Sequence, residues 1–422
     1  MSVALLTDRY ELTMVQAALA SGKAERPCVF EVFARQLPAG RRYGVVAGTA
    51  RVIDAIHNFR FTDEQMSFLI EEKVVDQRTA QWLADYRFRG SVSGYREGEI
   101  YFGGSPVLTV EGGFAEAVVL ETVILSILNF DSAVASAGAR MRSAASNRFL
   151  AEMGSRRTHE QAAVSAARAA YLVGFDATSN LEAGAMYGIP TMGTSAHSFT
   201  LLHDTEDQAF QAQLSALGTE TTLLVDTFDV ERAVRSAVAL SGGKLGAVRL
   251  DSGDLVQSAI EVRALLDSLG ATQTRITVTS DLDEFTIAAL AQAPVNSYGV
   301  GTSLVTGSGS PTAGFVYKLV SHFDGNSWVD VAKKSPNKAS RGGKKAAFRL
   351  TENGVASKEI VGSTAEGRAL QIEFIKQGNV ITSDQKAALV DARVHHKFAI
   401  SELPAGALRL SKGEPAIPVE FA

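Results

Sequence analysis

The residues best suited to chemistry in this chain are polar side chains that follow short apolar runs. In the stretch from Ile189 to His203, an apolar run of strand length leads through Gly193 to His197 among small hydroxylated residues. The same arrangement recurs along the chain and supplies Arg156, Arg157, Ser179, Asn180, Thr194, Asp226, Arg249, Asp251, Asp281, Gly301 and Thr302. Arginine forks bind phosphates, carboxylates hold Mg²⁺ or face developing positive charge, and glycines admit a phosphate to the backbone N–H groups. The set predicts an enzyme acting on a phosphorylated, sugar-like substrate, with His197 near its centre.

Each of these residues also has an ordinary structural explanation. A histidine at a strand-to-loop junction is more often structural than catalytic, and Arg249 with Asp251 equally suits a plain ion pair. Asp254 with Gln257, and Asp281 with Glu284, have the spacing of helix caps. The functional interpretation is favoured because nearly all the strand ends are polar at once, which a purely structural domain does not need.

The elements that position these residues lie between about 116 and 310. Helical segments alternate there with short apolar runs, which predicts a parallel α/β domain. Right-handed crossovers in about seven such units are enough to close an irregular TIM-like α/β barrel, in which the carboxyl ends of the strands converge on one mouth. An open doubly wound sheet is the alternative. We favour the barrel because polar residues end nearly every strand rather than gathering at one switch point.

The two ends of the chain have a different pattern. Residues 1–115 are mixed α and β, with a helix from Thr7 to Ala20 capped by Thr7 or Asp8, and a strand from Cys28 to Ala34 half buried on one face. Beyond 310 the helix-strand alternation is lost, and a basic loop spans 333–345. We expect residues 311–422 to pack with residues 1–115 as one smaller, discontinuous α+β domain.

Composition excludes several classes of protein. A formal net charge of −5 over 422 residues argues against a nucleic-acid partner. One cysteine, Cys28, excludes an internal disulfide and suits the reducing cytoplasm. No secretory signal is visible, and the longest apolar stretch, Ala117 to Phe130, is interrupted by Glu121 and too short for a membrane span. We therefore expect a soluble cytoplasmic protein without a membrane partner.

Seven motifs, in order and spacing, carry a specific resemblance. They are TDRYELTM (Thr7 to Met14), FARQLPAGRRY (Phe33 to Tyr43), GSRR (Gly154 to Arg157), GTSAHSF (Gly193 to Phe199), RLDSGDL (Arg249 to Leu255), SDLDE (Ser280 to Glu284) and YGVGT (Tyr298 to Thr302). Across nearly its whole length the chain resembles the nicotinate phosphoribosyltransferase family. The resemblance implies transfer of a phosphoribosyl group from phosphoribosyl pyrophosphate to nicotinate, with Mg²⁺ as cofactor. It also implies stimulation by ATP through a phosphohistidine, which maps to His197.

The resemblance also implies a role for each site residue. Nicotinate contacts map to Tyr10, Thr194, Arg249 and Met153; phosphoribosyl and pyrophosphate contacts map to Arg156, Arg157, Asp226, Asp251, Asp281, Gly301 and Thr302. His197, Asp251 and Arg249 form the expected catalytic group, and Asp251 and Asp281 are the candidates for holding Mg²⁺. In related enzymes the tyrosine of the first motif comes from a neighbouring subunit, so the resemblance implies a homodimer with shared active sites.

Two departures from the family pattern bear on the acceptor substrate. Met153 stands where relatives commonly place an aromatic residue against the pyridine ring, and methionine packs on a ring face more softly. Ser179 and Asn180 occupy the region where nicotinamide-using relatives carry a carboxylate. The absence of that charge favours the anionic acid. The alternatives are transfer to nicotinamide, a barrel lyase or isomerase acting on a sugar phosphate, and a phosphoribosyl-binding sensor without activity.

Overall fold

The computed structural model describes residues 2–334, 340–363, 366–381 and 385–422. The chain forms two compact units, one made of Met1–Ser136 with Ser310–Ala422 and the other of Ala137–Gly309. The first boundary lies at residue 136, inside a helix, whereas the residue pattern changes at about 115. The middle of the 333–345 basic loop, at 335–339, lies outside the described residues.

The helices and strands follow in chain order. The α-helices are α1 Arg9–Ala20, α2 Thr49–His57, α3 Asp63–Glu71, α4 Gln77–Ala84, α5 Phe114–Val118, α6 Glu121–Ala145, α7 Glu160–Leu172, α8 Leu181–Tyr187, α9 His197–Leu202, α10 Glu206–Leu217, α11 Val230–Leu240, α12 Leu255–Ser268, α13 Glu284–Ala289, α14 Thr302–Val305 and α15 Gln385–Ser401. The strands are β1 Pro27–Ala34, β2 Gly44–Val45, β3 Ser91–Tyr95, β4 Ile100–Tyr101, β5 Leu108–Gly113, β6 Phe149–Glu152, β7 Ala177–Thr178, β8 Thr222–Leu224, β9 Ala247–Leu250, β10 Arg275–Val278, β11 Ser297–Val300, β12 Phe315–Phe323, β13 Trp328–Asp330, β14 Ala346–Glu352, β15 Val355–Gly362, β16 Arg368–Ala369, β17 Gln371–Lys376, β18 Asn379–Val380 and β19 Val419–Phe421.

The unit of residues 137–309 is built on a parallel sheet. Its strands lie in the order β7-β6-β11-β10-β9-β8, and each ladder between them is parallel. Leu223, Val248 and Ile276 are fully buried within it, as expected for strands covered on both faces. The predicted mixed α/β fold with a parallel sheet is therefore confirmed.

The edges of this sheet show how far the predicted barrel is formed. A parallel bridge joins Thr178 to Thr191, so the stretch before His197 extends the β7 edge. Within the described part of the chain no ladder joins β8 to that stretch. The hydrogen-bonded sheet is thus a half-barrel with two open edges, and ring closure is not seen.

The other unit contains an antiparallel sheet ordered β13-β12-β1-β5-β3-β17-β18. Strand β1 lies between β12 and β5, pairing with both antiparallel. The prediction that β1 is half buried was wrong, because Cys28 to Val32 are buried on both faces. Glu31 lies within this run, and its carboxylate is held 2.8 Å from Lys345 Nζ. At the end of the chain β19 pairs parallel with β15.

Several local predictions can be compared with the observed helices. Asp8 caps α1, and Asp254 caps α12 by accepting from the Gln257 backbone N–H. The cap of α13 is Asp283 rather than Asp281, so that prediction was wrong by two residues. The apolar stretch Ala117 to Phe130 falls largely within the long helix α6, which passes through the buried Asp131 without a break.

The helical segment Phe114–Ala145 is long and apolar enough to meet a length-and-composition test for a membrane span. However, 61% of its most apolar window is buried inside the protein, as is also found in core helices of soluble proteins. The test is therefore weak evidence for a membrane.

Candidate active site

Arg249 is the centre of a hydrogen-bonded cluster at the carboxyl edge of the parallel sheet. It lies on β9 with its side chain 13% exposed. Its Nη1 donates to Thr194 Oγ1 at 2.5 Å and to the Ser195 carbonyl at 3.1 Å, and its Nε donates to Thr279 Oγ1 at 2.9 Å. Asp251 Oδ2 lies 3.4 Å from Nη2. Arg249 therefore ties the Thr194 loop to β9 and to the end of β10, which is more than a plain ion pair with Asp251.

His197 lies at the same edge, at the first position of α9. Its Nδ1 is 3.1 Å from Thr227 Oγ1, just beyond the end of β8. Its Nε2 is 3.8 Å from Asp251 Oδ2 and 4.0 Å from Asp226 Oδ1. The side chain is 40% exposed, so it is accessible rather than enclosed in hydrocarbon. The structure thus brings together His197, Arg249 and Asp251, the three residues expected to form the catalytic group.

Asp226 is the more buried of the two carboxylates beside His197, with its side chain 4% exposed. Its Oδ2 accepts from the Asp251 backbone N–H at 2.8 Å and from Ser252 Oγ at 2.7 Å. Its Oδ1 is buried and accepts no hydrogen bond from the described residues. A buried anionic oxygen without a donor is costly, so Oδ1 is an acceptor available to a cation or to a ligand donor.

The loop that follows β6 presents two free cations. Arg156 and Arg157 are exposed, and the side chain of neither forms a hydrogen bond or an ion pair with another described residue, although the Arg157 backbone N–H donates to the Gly154 carbonyl at 2.8 Å. Gly154 precedes them, and a Cβ there would overlap the Val305 side chain. The close approach to α14 therefore requires glycine, and it leaves two guanidinium groups in solvent where a polyanionic ligand could reach them.

Met153 packs against the end of β11. A Cβ on Gly299 would lie 2.6 Å from Met153 Sδ and 2.6 Å from Thr279 Cγ2. A Cβ on Gly301 would lie 3.3 Å from the Met153 carbonyl oxygen. The glycines of the last strand therefore make room for Met153, which shares the surface beside Gly299 with the methyl group of Thr279.

Three residues outside the predicted set support this edge: Glu152, Thr227 and Thr279. Glu152 is buried, accepts from Thr178 Oγ1 and from the Gly154 backbone N–H, and burial raises the pKa of its carboxyl group. Thr227 and Thr279 hydrogen-bond to His197 and Arg249. All three lie at or just after the ends of strands. A search of the sequence for every polar residue in that position would therefore have found them.

Other predicted residues lie outside this cluster. Asp281 is exposed, and Ser280 before it has φ of 112°, a conformation unusual for a residue with a side chain. Thr302 is exposed at the start of α14, directly after Gly301. Ser179 is partly buried, and Asn180 caps α8 while its Nδ2 donates to Ser155 Oγ at 3.0 Å.

Tyr10 belongs to the other unit, on α1, and is 47% exposed. Partial burial and the neighbouring carboxylate of Glu121 raise the pKa of its hydroxyl group to about 12. The Tyr10 hydroxyl is therefore neutral at physiological pH, and it hydrogen-bonds to the Glu121 carboxylate and to Thr122.

Comparisons with known proteins identify relatives over nearly the whole chain. The model of the nicotinate phosphoribosyltransferase N-terminal domain matches residues 5–129, and the model of the nicotinate phosphoribosyltransferase family matches residues 149–399. Nicotinate phosphoribosyltransferase PncB1 of Mycobacterium tuberculosis is 53% identical, covering 98% of this chain and 94% of that protein. The nicotinate phosphoribosyltransferase of Bacillus subtilis is 37% identical, covering 83% of this chain and 73% of that protein.

A solved structure extends the similarity to the fold. The crystal structure of human nicotinic acid phosphoribosyltransferase aligns with a TM-score of 0.80 at 25% identity, covering 99% of this chain and 97% of that one. The mixed α/β fold therefore agrees with that of a solved relative through nearly the whole chain.

Proposed function

Because the chain belongs to the nicotinate phosphoribosyltransferase family, we propose that it transfers the phosphoribosyl group of phosphoribosyl pyrophosphate to nicotinate. The ring nitrogen of nicotinate forms the new bond to the anomeric carbon, and the bond from that carbon to pyrophosphate breaks. The products are nicotinate mononucleotide and pyrophosphate, which makes this a step of NAD salvage. The observation that carries the proposal is the Arg249 cluster, in which one guanidinium, two carboxylates and His197 meet at one sheet edge.

The charges of this cluster suit the reaction. Breaking the anomeric bond develops positive charge on the ribose ring and negative charge on pyrophosphate. Asp251, 29% exposed beside Arg249, is placed to stabilise the ribose. Arg156 and Arg157 are unpaired cations of the kind that bind pyrophosphate, and Gly301 with Thr302 adds a helix start for the ribose phosphate. Arg249 and Thr194 would bind the nicotinate carboxylate, with Met153 against its ring.

The donor set also suits Mg²⁺. This ion commonly binds through one or two carboxylates together with substrate phosphates and water. The open Oδ1 of Asp226 and the half-exposed Asp251 provide such carboxylates, and Asp281 is exposed at the neighbouring strand end. The described residues contain no cluster of three or more ligands that would hold a metal ion unaided. Mg²⁺ bound with the substrate would neutralise charge on the leaving pyrophosphate.

We further propose that ATP stimulates the transfer through His197. In the tautomer protonated at Nδ1, Nδ1–H donates to Thr227 Oγ1 and the Nε2 lone pair is free to attack the γ-phosphoryl group, forming a phosphohistidine and releasing ADP. Hydrolysis of the phosphohistidine then returns phosphate and the free imidazole. The exposure of His197 and its position between Asp226 and Asp251 support this role. Added negative charge there would reorganise the loops of the cluster.

Three wider features remain part of the proposal. The half-barrel sheet would act as an incomplete TIM-like barrel, with the site at its carboxyl edge. The exposed Tyr10 would reach the site of a second copy in a homodimer. The buried, unpaired Cys28 supports a location in the reducing cytoplasm.

One assay tests the reaction. Pyrophosphate release would be measured with phosphoribosyl pyrophosphate and either nicotinate or nicotinamide, each with and without ATP. We expect release with nicotinate, faster with ATP. Faster release with nicotinamide would favour the nicotinamide enzyme, and no release with either would favour a sugar-phosphate lyase or isomerase or a sensor.

A second assay tests the role of ATP. His197→Ala is expected to abolish ³²P labelling from γ-labelled ATP and the stimulation by ATP, while slow transfer to nicotinate continues. Persistent labelling of the variant would place the phosphoryl group on another residue.

A further inference from the structure

Thr279 lies between the residue proposed to bind nicotinate and the residue proposed to face the ribose. It follows β10, is 4% exposed, and does not belong to the charged set that the reaction requires. Its Oγ1 accepts a hydrogen bond from Arg249 Nε at 2.9 Å and donates one to Asp251 Oδ1. One hydroxyl group therefore contacts both the residue proposed to bind nicotinate and the residue proposed to face the ribose.

The chemistry of a hydroxyl group sets the direction of this connection. An arginine Nε–H only donates and a carboxylate only accepts, so the single Thr279 proton must point at Asp251. The result is an ordered chain from Arg249 N–H through the Thr279 hydroxyl to Asp251. Each hydrogen bond in such a chain polarises the next, and both involve a charged partner.

The surroundings of Thr279 hold the hydroxyl in place. Its backbone N–H donates to the Leu250 carbonyl at 2.9 Å, which continues the parallel pairing of β10 with β9. Its methyl group lies against Gly299, beside Met153. The next residue, Ser280, turns the chain away with φ of 112°. The rotation of the side chain is thus restricted on both the polar and the apolar side.

Arg249 leaves a specific part of its guanidinium open to a ligand. Nε and both protons of Nη1 are directed to Thr279, Thr194 and Ser195, whereas Nη2 has, among the described residues, only the long 3.4 Å approach to Asp251 Oδ2. A ligand carboxylate at Nη2 would weaken the attraction of Arg249 for Asp251 Oδ2. Asp251 would then be held by the Thr279 hydroxyl through Oδ1, leaving Oδ2 free to face the ribose.

From this geometry we propose that Thr279 is a positioning residue that couples binding of the pyridine acid at Arg249 to the orientation of Asp251 toward the ribose. The inference rests on the proposed transferase function and deepens it. Coupling of this kind is reciprocal in binding, so occupancy of the phosphoribosyl site would also change the affinity for nicotinate.

The test uses Thr279→Val, which keeps the shape of the side chain and removes the hydroxyl group, and Thr279→Ser, which keeps the hydroxyl group. Thr277→Val is the matched control, because Thr277 is buried on β10 beside Arg249, and its hydroxyl hydrogen-bonds to Ser297 at 2.7 Å rather than to Arg249 or Asp251. Initial rates would be measured over a matrix of nicotinate and phosphoribosyl pyrophosphate concentrations. Thermal unfolding of each variant would be recorded in parallel.

We expect saturating phosphoribosyl pyrophosphate to lower KM for nicotinate in the wild type and in Thr279→Ser. In Thr279→Val the ratio of KM for nicotinate at low phosphoribosyl pyrophosphate to KM at saturating phosphoribosyl pyrophosphate should move toward one. The value of kcat/KM for nicotinate should fall about 10- to 100-fold, which is the effect of losing hydrogen bonds to charged groups. Thr277→Val should keep both values of the wild type.

If the wild type is active, any of three outcomes would overturn the coupling. These are a ratio of one between the two KM values in the wild type, the wild-type ratio retained in Thr279→Val, or a fall of this ratio in Thr279→Ser equal to that in Thr279→Val. A folded wild type that releases no pyrophosphate with nicotinate would instead refute the proposed function, and the coupling with it.

Discussion

Two clusters of charged residues in this protein use the same side-chain types in opposite ways. In the unit of the chain termini, Arg349 is fully buried and lies 2.7 Å from Glu99 and 2.8 Å from Glu359. Arg368 and His395 also contact Glu99, at 2.7 Å and 2.9 Å. At the carboxyl edge of the parallel sheet, the charged groups of His197, Asp226, Arg249 and Asp251 are separated by 3.4 to 4.0 Å.

The two clusters differ in how closely their opposite charges are paired. Burial raises the pKa of Glu99, but the hydrogen bond from His395 and the charges of Arg349 and Arg368 outweigh it and hold that pKa well below its usual range. The cluster at the sheet edge keeps an open carboxylate oxygen on Asp226. Breaking one of the short, buried ion pairs would leave an uncompensated charge inside the fold, whereas the longer separations at the sheet edge, with an open acceptor, leave room for a charged ligand.

The largest effect should come from breaking the buried cluster. Arg349→Met leaves Glu99 and Glu359 without their central cation, and removing one partner of a buried ion pair typically costs about 3–5 kcal/mol of stability. Chemical denaturation would measure the loss. Arg235→Met, which breaks the exposed pair with Glu231, is the control and should cost under about 1 kcal/mol. Similar losses in both variants would show that the buried cluster is not the stabilising feature described.

Substitutions in the charged cluster at the carboxyl edge of the parallel sheet should lower the reaction rate rather than the stability of the fold. Asp251→Asn keeps the shape of the side chain but removes the charge proposed to face the ribose. We expect kcat to fall about 10²- to 10³-fold, as when one preorganised electrostatic contact is lost, with the denaturation midpoint nearly unchanged. Asp267→Asn, in an exposed pair with Arg263, is the control and should keep full turnover. A stability loss that accounts for the lower rate would make Asp251 a structural residue.

A smaller effect is expected at the hydrogen bond that orients His197. Thr227→Val removes the hydrogen-bond partner of His197 Nδ1, so the imidazole would lose the contact proposed to orient Nε2 toward ATP. Labelling from γ-³²P ATP should fall about 10-fold, the effect of one hydrogen bond, while transfer without ATP is unchanged. Thr227→Ser should restore labelling. Normal labelling in Thr227→Val would show that the ring is oriented by other contacts.

The last effect is a pH dependence of stability and concerns Glu11, a buried carboxylate whose hydrogen bonds come from neutral groups. It accepts from the Thr122 backbone and hydroxyl groups and from Asp8 N–H, and burial raises its pKa from 4.5 to about 7. Since the folded state binds this proton more tightly, the stability it contributes is full below pH 4.5 and is lost as the pH rises through about 7. Glu11→Gln should flatten the fall in unfolding temperature over this range, as measured by thermal denaturation from pH 4 to 8. A slope equal to that of the wild type would place the titration elsewhere.

Local pattern in the sequence determined much of this protein. Short apolar runs ended by polar residues were enough to predict the parallel sheet and the edge where Arg249, Asp251 and His197 meet. Strand formation and helix capping depend on neighbours a few residues apart, which is why the cap at Asp254 was also predicted correctly. The ordered motifs, from Thr7 to Thr302, were enough to identify the family.

Tertiary structure decided the contacts between segments that are distant in sequence. The burial of both faces of β1 depends on what packs over the sheet, which the alternation of residues in one strand does not specify. Whether the sheet closes into a ring depends on pairing between its two edge strands, and β8 remains an open edge. The bridge from Arg249 through Thr279 to Asp251 exists because β9 and β10 pair in one register, and a shift of one residue would turn Thr279 to the opposite face of the sheet.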